Sequence, residues 1–327
     1  MSQPPADAPA AAPPRSRLSF EQTVPRSIAH RRALGEVFVA DSVQSGDGEF
    51  LLAVQVPRAH TLWFDRRVAV HDTLSTAEAA RQGAFVVVHR HLGVPVGLPF
   101  SLQRFGFEVT DLAAYRDTER DPLEGILRFR LVSRDQRTSE IGSLTFEGDL
   151  EIAGARAMTM AGQIFFVPKA DYEALRAYQR RRKPLDDGAA RAEPPRPLDP
   201  SQVGRHDPRN VVLGAPRDGG RFPIVVDQSH PSFFDHGYDH LPGPLIGEAF
   251  RQASIVVAAR AGALPEPVAA VTRCEASFTD FAEIDAPAEC SAEVTSAFED
   301  GRTTVVVGLH QFGRELASGE LDLQPFP

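Results

Sequence analysis

The chain has 327 residues, with 35 Lys and Arg against 44 Asp and Glu, a formal charge of −9 and 42% hydrophobic residues. These are ordinary values for a soluble globular protein, without the ~18-residue apolar run of a transmembrane helix. The acidic balance argues against a nucleic-acid partner. With only Cys274 and Cys290, a disulfide scaffold or a Cys₄ metal centre is excluded and a reducing, cytoplasmic location is expected.

Residues 1–24 read as a disordered tail: 1–15 alone hold five prolines and five alanines, with no leading positive charges and no apolar core of a secretory signal. A first unit is expected over 25–170. It opens with a short strand pair, 36–42 with 49–56, followed by a helix over 74–93 (LSTAEAARQGAFVVVHRHLG) that is small or apolar on nearly every side and ends at a glycine. Strands are expected at 98–109, 124–133, 142–152 and 159–167. Residues 171–205 read as a helix running into a Pro-rich linker, with Tyr172 and the basic run Arg180–Lys183 on the linker surface. A second unit over 206–327 repeats the plan: a helix over 244–263, then strands at 268–279, 287–298, 303–312 and 316–323.

The two units are copies of one fold. Comparing 56–95 with 226–265 without gaps gives 12 identities in 40 positions, among them His60/His230, Asp65/Asp235, Glu78/Glu248, Arg81/Arg251 and Gln82/Gln252. Unrelated segments would give roughly 2 or 3. One long helix followed by antiparallel strands is an α+β layout in which the sheet would wrap the helix, the hotdog arrangement, which strand counting alone does not separate from other α+β folds; two such tandem units are expected to pack as an internal pseudo-dimer.

Chemistry concentrates at FDHGYDHLPGPLIGEAFRQA (234–253) and its counterpart HDTLSTAEAARQ (71–82). The free N–H groups at a helix start, with Gly243 allowing close approach, suit a thioester oxyanion. Glu78 and Glu248, carboxylates in mostly apolar helices, are expected to have a raised pKa and to serve as general bases. The bland reading is an i,i+3 ion pair with Arg81 or Arg251, and its recurrence in both units weakens it. His236 and His240 are the loop histidines expected to share the catalytic role. His60 and His230, far ahead of the helices, read as structural, and Asp72 or Thr73 as an N-cap. No P-loop, GxGxxG, GxSxG or HExxH motif is present, and the spacing of His236 and His240 with Asp235 and Asp239 matches no recognised metal site. Neither cofactor nor metal is expected. Cys274 reads as core packing.

The run FFDHGYDHLPG (233–243) with EAFRQA (248–253), paired with 71–82, resembles the A-factor biosynthesis family, tandem-hotdog γ-butyrolactone synthases of actinomycetes. AHR (29–31) and VPRAH (56–60) also look like family landmarks. The chain departs at Thr73, where the family often has proline, and at Gly247, where it often has leucine. The resemblance implies an acyltransferase that moves a β-ketoacyl group from acyl carrier protein to a hydroxyl of dihydroxyacetone phosphate. In that scheme Glu248 or Glu78 takes the proton, Arg251 or Arg81 binds the phosphate, Gln252 and Gln82 align the keto group, and Gly243, Asp239, His71 and Asp72 line the substrate. The loop is also similar to β-hydroxyacyl dehydratase hotdogs, which implies that Glu78 faces the loop of the second unit and Glu248 that of the first. A dehydratase or thioesterase on the same scaffold, and a non-catalytic binding protein, are the alternatives. An acidic carrier protein calls for a basic patch, with Arg31-Arg32, Arg66-Arg67 and Arg180–Lys183 as candidates.

Overall fold

The computed structural model describes residues 14–185, 194–216, 219–298 and 300–326; most of the Pro-rich tail, and residues 186–193 of the linker, lie outside the described residues. In the first unit the chain runs β1 (Val39–Gly46), β2 (Glu49–Val56), α1 (Thr73–Val86), β3 (Phe100–Val109), β4 (Leu123–Thr138), β5 (Ile141–Ile152) and β6 (Ala155–Phe166). Helix α2 (Lys169–Arg181) follows. The second unit runs β7 (Phe222–Pro223), α3 (Gly243–Arg260), β8 (Ala270–Phe278), β9 (Glu289–Ala297), β10 (Thr303–Gln311) and β11 (Arg314–Gln324).

The eleven strands among the described residues form one sheet, in the order β1-β2-β4-β5-β6-β3-β8-β11-β10-β9-β7. Each half curls around its own helix, α1 against β1, β2 and β4, and α3 against β9, β10 and β11. Eleven of the twelve residues from Ala77 to Val88, on or just beyond α1, and most of α3 are buried, as their all-round apolar sequence requires. The halves join through β3 and β8, which pair antiparallel with Arg104 opposite Ser277 and Phe107 opposite Cys274. Residues 104 and 274 are 170 apart, as are 107 and 277, so equivalent strands meet in the self-complementary register of an isologous contact.

Several differences from the sequence reading have physical causes. The strand pair expected before the second helix is reduced to Phe222–Pro223 and single bridges, Leu213 to Ile224 and Pro197 to Gly214. The first helix leaves α geometry at Val86 and closes with a π-helical turn over Val87–His91, where the His89 ring is tied to the Val94 carbonyl. Both helices are followed by a left-handed glycine, Gly93 and Gly262. Val24, placed in the tail by sequence, is buried and its amide donates to Val39 O at 3.0 Å.

Helix α2 is not linker surface. Its Arg176 forks onto Glu283 of the second unit at 3.0 and 2.8 Å and reaches Asp239 at 3.0 Å, while Lys183 reaches Glu283 at 2.8 Å. Glu283 is fully buried, and a buried carboxylate needs such partners. Tyr172, Arg180 and Lys183 are thereby committed to holding α2 across the second unit, while Arg181 and Arg182 stay exposed.

The sheet can approach α1 closely because residue 83 is glycine. A Cβ there would stand 3.0 Å from Leu127 Cδ2 and Phe129 Cε2 and 3.3 Å from Leu52 Cδ2. Gly83→Leu overfills this contact, and we expect it to cost about 1–3 kcal/mol despite the better helix propensity of leucine. A urea midpoint equal to or above that of the parent protein would contradict this packing argument.

Candidate active site

The two helix carboxylates sit at the centres of two polar clusters of the same design. Glu78 receives Arg81 Nε at 2.8 Å, Gln82 Nε2 at 2.9 Å and the Arg31 guanidinium. Glu248 receives Arg251 Nη2 at 2.6 Å, Gln252 Nε2 at 2.6 Å and both Nε and Nη2 of Arg205, at 3.0 and 2.8 Å. Both acids are buried, so the i,i+3 pairs do form, but not on a solvated face. The expectation of raised pKa values is reversed. Burial alone would raise them, yet the flanking guanidiniums hold both carboxyls down, to about 2. Both are held as ion-paired carboxylates near neutral pH, which makes either a weak proton acceptor.

The glutamines are equally committed. Gln82 accepts from Phe38 N at 2.9 Å and donates to Glu36 O at 2.8 Å, and Gln252 accepts from Val212 N at 3.0 Å and donates to Asn210 O at 2.7 Å. They stitch each helix to the segment that carries the partner arginine, and are not free to align a keto group. His60 and His230 cap the loop: Nδ1 of His60 accepts from Leu62 N and Trp63 N at 3.2 and 3.1 Å, and Nδ1 of His230 from Ser232 N and Phe233 N at 3.3 and 3.2 Å.

Each cluster takes its loop from the other unit. Asp235 accepts from Arg32 N at 2.5 Å and Ala33 N at 2.8 Å, which sets His236 and Tyr238 beside the Glu78 cluster. In mirror fashion Asp65 accepts from His206 N at 2.8 Å and Asp207 N at 3.1 Å. The positions matching His236 and Tyr238 are Arg66, paired with Asp117, and Val68. His71 is buried, its ring 3.7 Å from Asp117, and Asp72 caps α1 by accepting from Leu74 N at 3.0 Å. The Glu78 side also holds His30, stacked on Phe85 at 4.2 Å and with Nε2 2.7 Å from Nε2 of His89. Burial first, then the neighbouring His89 and arginines, lower the His30 pKa to about 3. His30 adopts φ 53°, and the matching residue of the second unit is Gly204, at φ 72°. A left-handed histidine where its copy is glycine marks a position under constraint.

The clefts at the two helix starts also differ. Beside α3 lies a cavity of about 260 Å³, walled by Phe100, Leu102 and Phe165 of the first unit, Ile246, Phe278 and Phe281 of the second, and Leu175 of α2. Gly243, Tyr172 and His240 open onto it. His240 Nδ1 is 2.6 Å from Asp239, whose carboxylate also receives Tyr172 Oη at 3.0 Å and Arg176 Nε at 3.0 Å. Phe100 packs its ring against His30 and His89, and Tyr238 lies between His236, at 4.2 Å, and His240, at 6.2 Å, so the cavity adjoins the Glu78 cluster. The cleft at the start of α1 encloses only about 30 Å³. There Thr73 replaces Gly243, and its hydroxyl donates to Val271 O at 2.8 Å, fastening the helix directly to β8. Arg251 and Arg205 reach this cleft already spent on Glu248.

These contacts also decide the basic patches. Arg31 is buried on Glu78, Arg66 is held by Asp117, and Arg180 and Lys183 are held by acids of the second unit; Arg32 and Arg67 remain exposed. Cys274 is buried opposite Phe107.

The chain matches the A-factor biosynthesis hotdog domain over residues 13–167 and again over 187–327. The chain belongs to that family. Relatives include two proteins named 2-oxo-3-(phosphooxy)propyl 3-oxoalkanoate synthase. One, from Streptomyces virginiae, is 31% identical over 88% of this chain and 93% of its own length; the other, from Streptomyces coelicolor, is 29% identical over 90% of each. Among solved structures, the pyran synthase domain from module nine of the sorangicin pathway aligns with a TM-score of 0.50 at 14% identity, covering 89% of this chain and 98% of that one. An oleoyl thioesterase structure from Lactobacillus plantarum aligns at 0.50 and 10%, covering 85% and 97%. At such identities the structures speak to the fold, a tandem hotdog, as family membership does. Among the described residues, no helix is long and apolar enough to cross a membrane.

Missing from the sequence reading was Arg205, and Arg31 as the partner of Glu78. A weak signal existed. Arg31 and Arg205 are 174 residues apart, whereas the helices are 170 apart, because the stretch from Phe38 to Val56 is four residues longer than its counterpart Val212 to Val226. An ungapped comparison passes over them.

Removing either carboxylate takes the main counter-charge from a buried guanidinium, Arg31 or Arg205, and from its helix partner, Arg81 or Arg251. Glu78→Gln and Glu248→Gln should each cost about 3–5 kcal/mol, measured by denaturant unfolding. The folded carboxyls have values near 2 and the unfolded ones near 4.5, so the unfolded state takes up protons first. The clusters' contribution is therefore complete above pH ~4.5 and is lost as pH falls toward 2. The melting temperature should drop over that window, and less steeply in either variant; parallel profiles would refute the assignment.

Proposed function

We propose that the protein is an acyltransferase that moves a β-ketoacyl group from the thioester of an acyl carrier protein to the hydroxyl of dihydroxyacetone phosphate, with the two units acting as an internal pseudo-dimer and one working cleft. The observation that carries this reading is the apolar cavity of about 260 Å³ with an Asp-oriented histidine and a helix start at its mouth. The printed names of the relatives, a phosphooxypropyl ester of a 3-oxoalkanoate, describe such a product for those proteins.

The apolar wall suits the acyl chain. Asp239 holds Nδ1 of His240, which leaves Nε2 to take the hydroxyl proton. The acceptor oxygen then attacks the thioester carbon. The amide of Gly243, first residue of α3, has no partner four residues back within the helix and supports the oxyanion. The position is open, since nothing lies within 4 Å of where a Cβ would stand. Collapse of the adduct breaks the C–S bond, and the proton on His240 passes to the leaving thiolate. No acyl-enzyme is needed. Glu78 is in this scheme an electrostatic anchor and not the base.

Purified protein given a β-ketoacyl carrier thioester and dihydroxyacetone phosphate should yield the phosphate-bearing ester by mass spectrometry, and His240→Ala should lower kcat by about 10²–10⁴-fold. No ester above the enzyme-free control, or full activity in the variant, defeats the reading. Hydrolysis of the thioester without the acceptor, at an equal rate, would favour a thioesterase.

A further inference from the structure

The two polar clusters share a design but not a charge balance. In the second, two guanidiniums, Arg205 and Arg251, meet two carboxylates: Glu248, and Asp72 at 3.2 Å from Arg205. Every nitrogen of the Arg205 side chain is used, with Nη1 donating to Leu62 O at 3.0 Å and Asp65 O at 2.7 Å. In the first cluster, Arg31 and Arg81 share the single carboxylate of Glu78. The residue matching Asp72 is Pro242, which likewise stands at the N-cap, of α3. Arg31 is 6% exposed; its Nε and Nη1 have no hydrogen-bond partner among the described residues, its guanidinium meets the Tyr238 hydroxyl besides Glu78, and Nδ1 of His236 faces Asp235 at 3.7 Å.

The other acids nearby are committed elsewhere. Asp235 accepts from Arg32 N and Ala33 N with its two oxygens, and one of them also faces His236 Nδ1 at 3.7 Å. Glu36 accepts from Ser232 Oγ at 3.0 Å and lies 3.2 Å from His60. The positive field reaches outward, since Arg31 and Arg81 both act to lower the pKa of His30 and His236. Tyr238, whose pKa burial raises, keeps its hydroxyl proton as a further donor.

We propose that the Arg31–Arg81 cluster, with His236 and Tyr238, is a binding site for a phosphate monoester, whose anionic oxygens take the place that the Asp72 carboxylate occupies in the other copy. Guanidinium forks match phosphate geometry. Beside the acyl cavity, and resting on the acyl-transfer reading above, this site seats the phosphate of the acceptor while its hydroxyl end reaches His240. It selects a phosphorylated acceptor over the free triol or ketone.

The duplication supplies the test. Pro242→Asp installs in the first cluster the carboxylate of the second, and Asp is a preferred N-cap. Arg81→Gln removes one of the first cluster's two guanidiniums and leaves Glu78 paired with Arg31. Inorganic phosphate is titrated calorimetrically into the full chain without acyl donor. We expect one site in the parent protein, and binding at least tenfold weaker in P242D and R81Q variants that keep the parent's circular dichroism; no binding by the parent protein overturns the proposal. Parent-like affinity in folded P242D overturns the proposal. If P242D does not fold, R81Q decides, weaker binding supporting the proposal and parent-like affinity overturning it. Because no thioester is present, failure of ester formation in the transfer assay counts against the reaction alone. Unchanged transfer to dihydroxyacetone phosphate by P242D counts against the site alone.

Discussion

A carboxylate buried in the middle of each central helix dictates much of this architecture. An unpaired charge at such depth is worth several kcal/mol of instability, so each helix must be met by cations. One comes from the helix itself, three residues on. The other comes from the segment that enters the unit, Arg31 or Arg205, and a glutamine one turn along the helix fixes that segment by its backbone. The entering segment in turn binds the aspartate of the opposite loop, Asp235 or Asp65. Helix, entry segment and partner loop are therefore locked in one chain of contacts, and the loop's histidines gain their positions from an ion pair they do not touch.

On this common frame, a few substitutions decide which cleft has room. Gly243 against Thr73 sets whether the helix start stands open or is fastened to the sheet. Phe100 against Ala270 gives one side an aromatic wall and the other a methyl group. Helix α2 exists only beside the open cleft among the described residues, where Arg176 and Tyr172 brace Asp239 and thereby His240.

Much of the fold was legible because its signals are local. Alternation marks the strands, all-round apolarity marks the helices, and a constant 170-residue offset reveals the repeat. The Glu-x-x-Arg-Gln pattern was legible as a pair of matched positions, and the loop histidines as a cluster. The protonation state of the glutamates was not, because it depends on an arginine 43 or 47 residues away whose offset differs from that of the helices. Nor was the docking of α2, which rests on Arg176 meeting Glu283 across 107 residues. The bare run at 180–183 looks solvated until the buried acid it serves is known. Closure of one cleft turned on a single hydroxyl, Thr73, which sequence read as a cap and which instead bonds across the junction.

The junction of β3 with β8 has an evolutionary corollary. Two identical polypeptides meeting along that edge would form both clefts from the same residues, and any change that widened one or freed a cation in it would be imposed on its twin. Joining the copies in a single polypeptide lifts that obligation. One cleft can be sacrificed to rigidity, closed by a threonine and neutralised by an aspartate, while the other accumulates cavity, histidines and unspent charge. The two halves of this chain differ in just these respects, which identical subunits meeting along the same edge could not do.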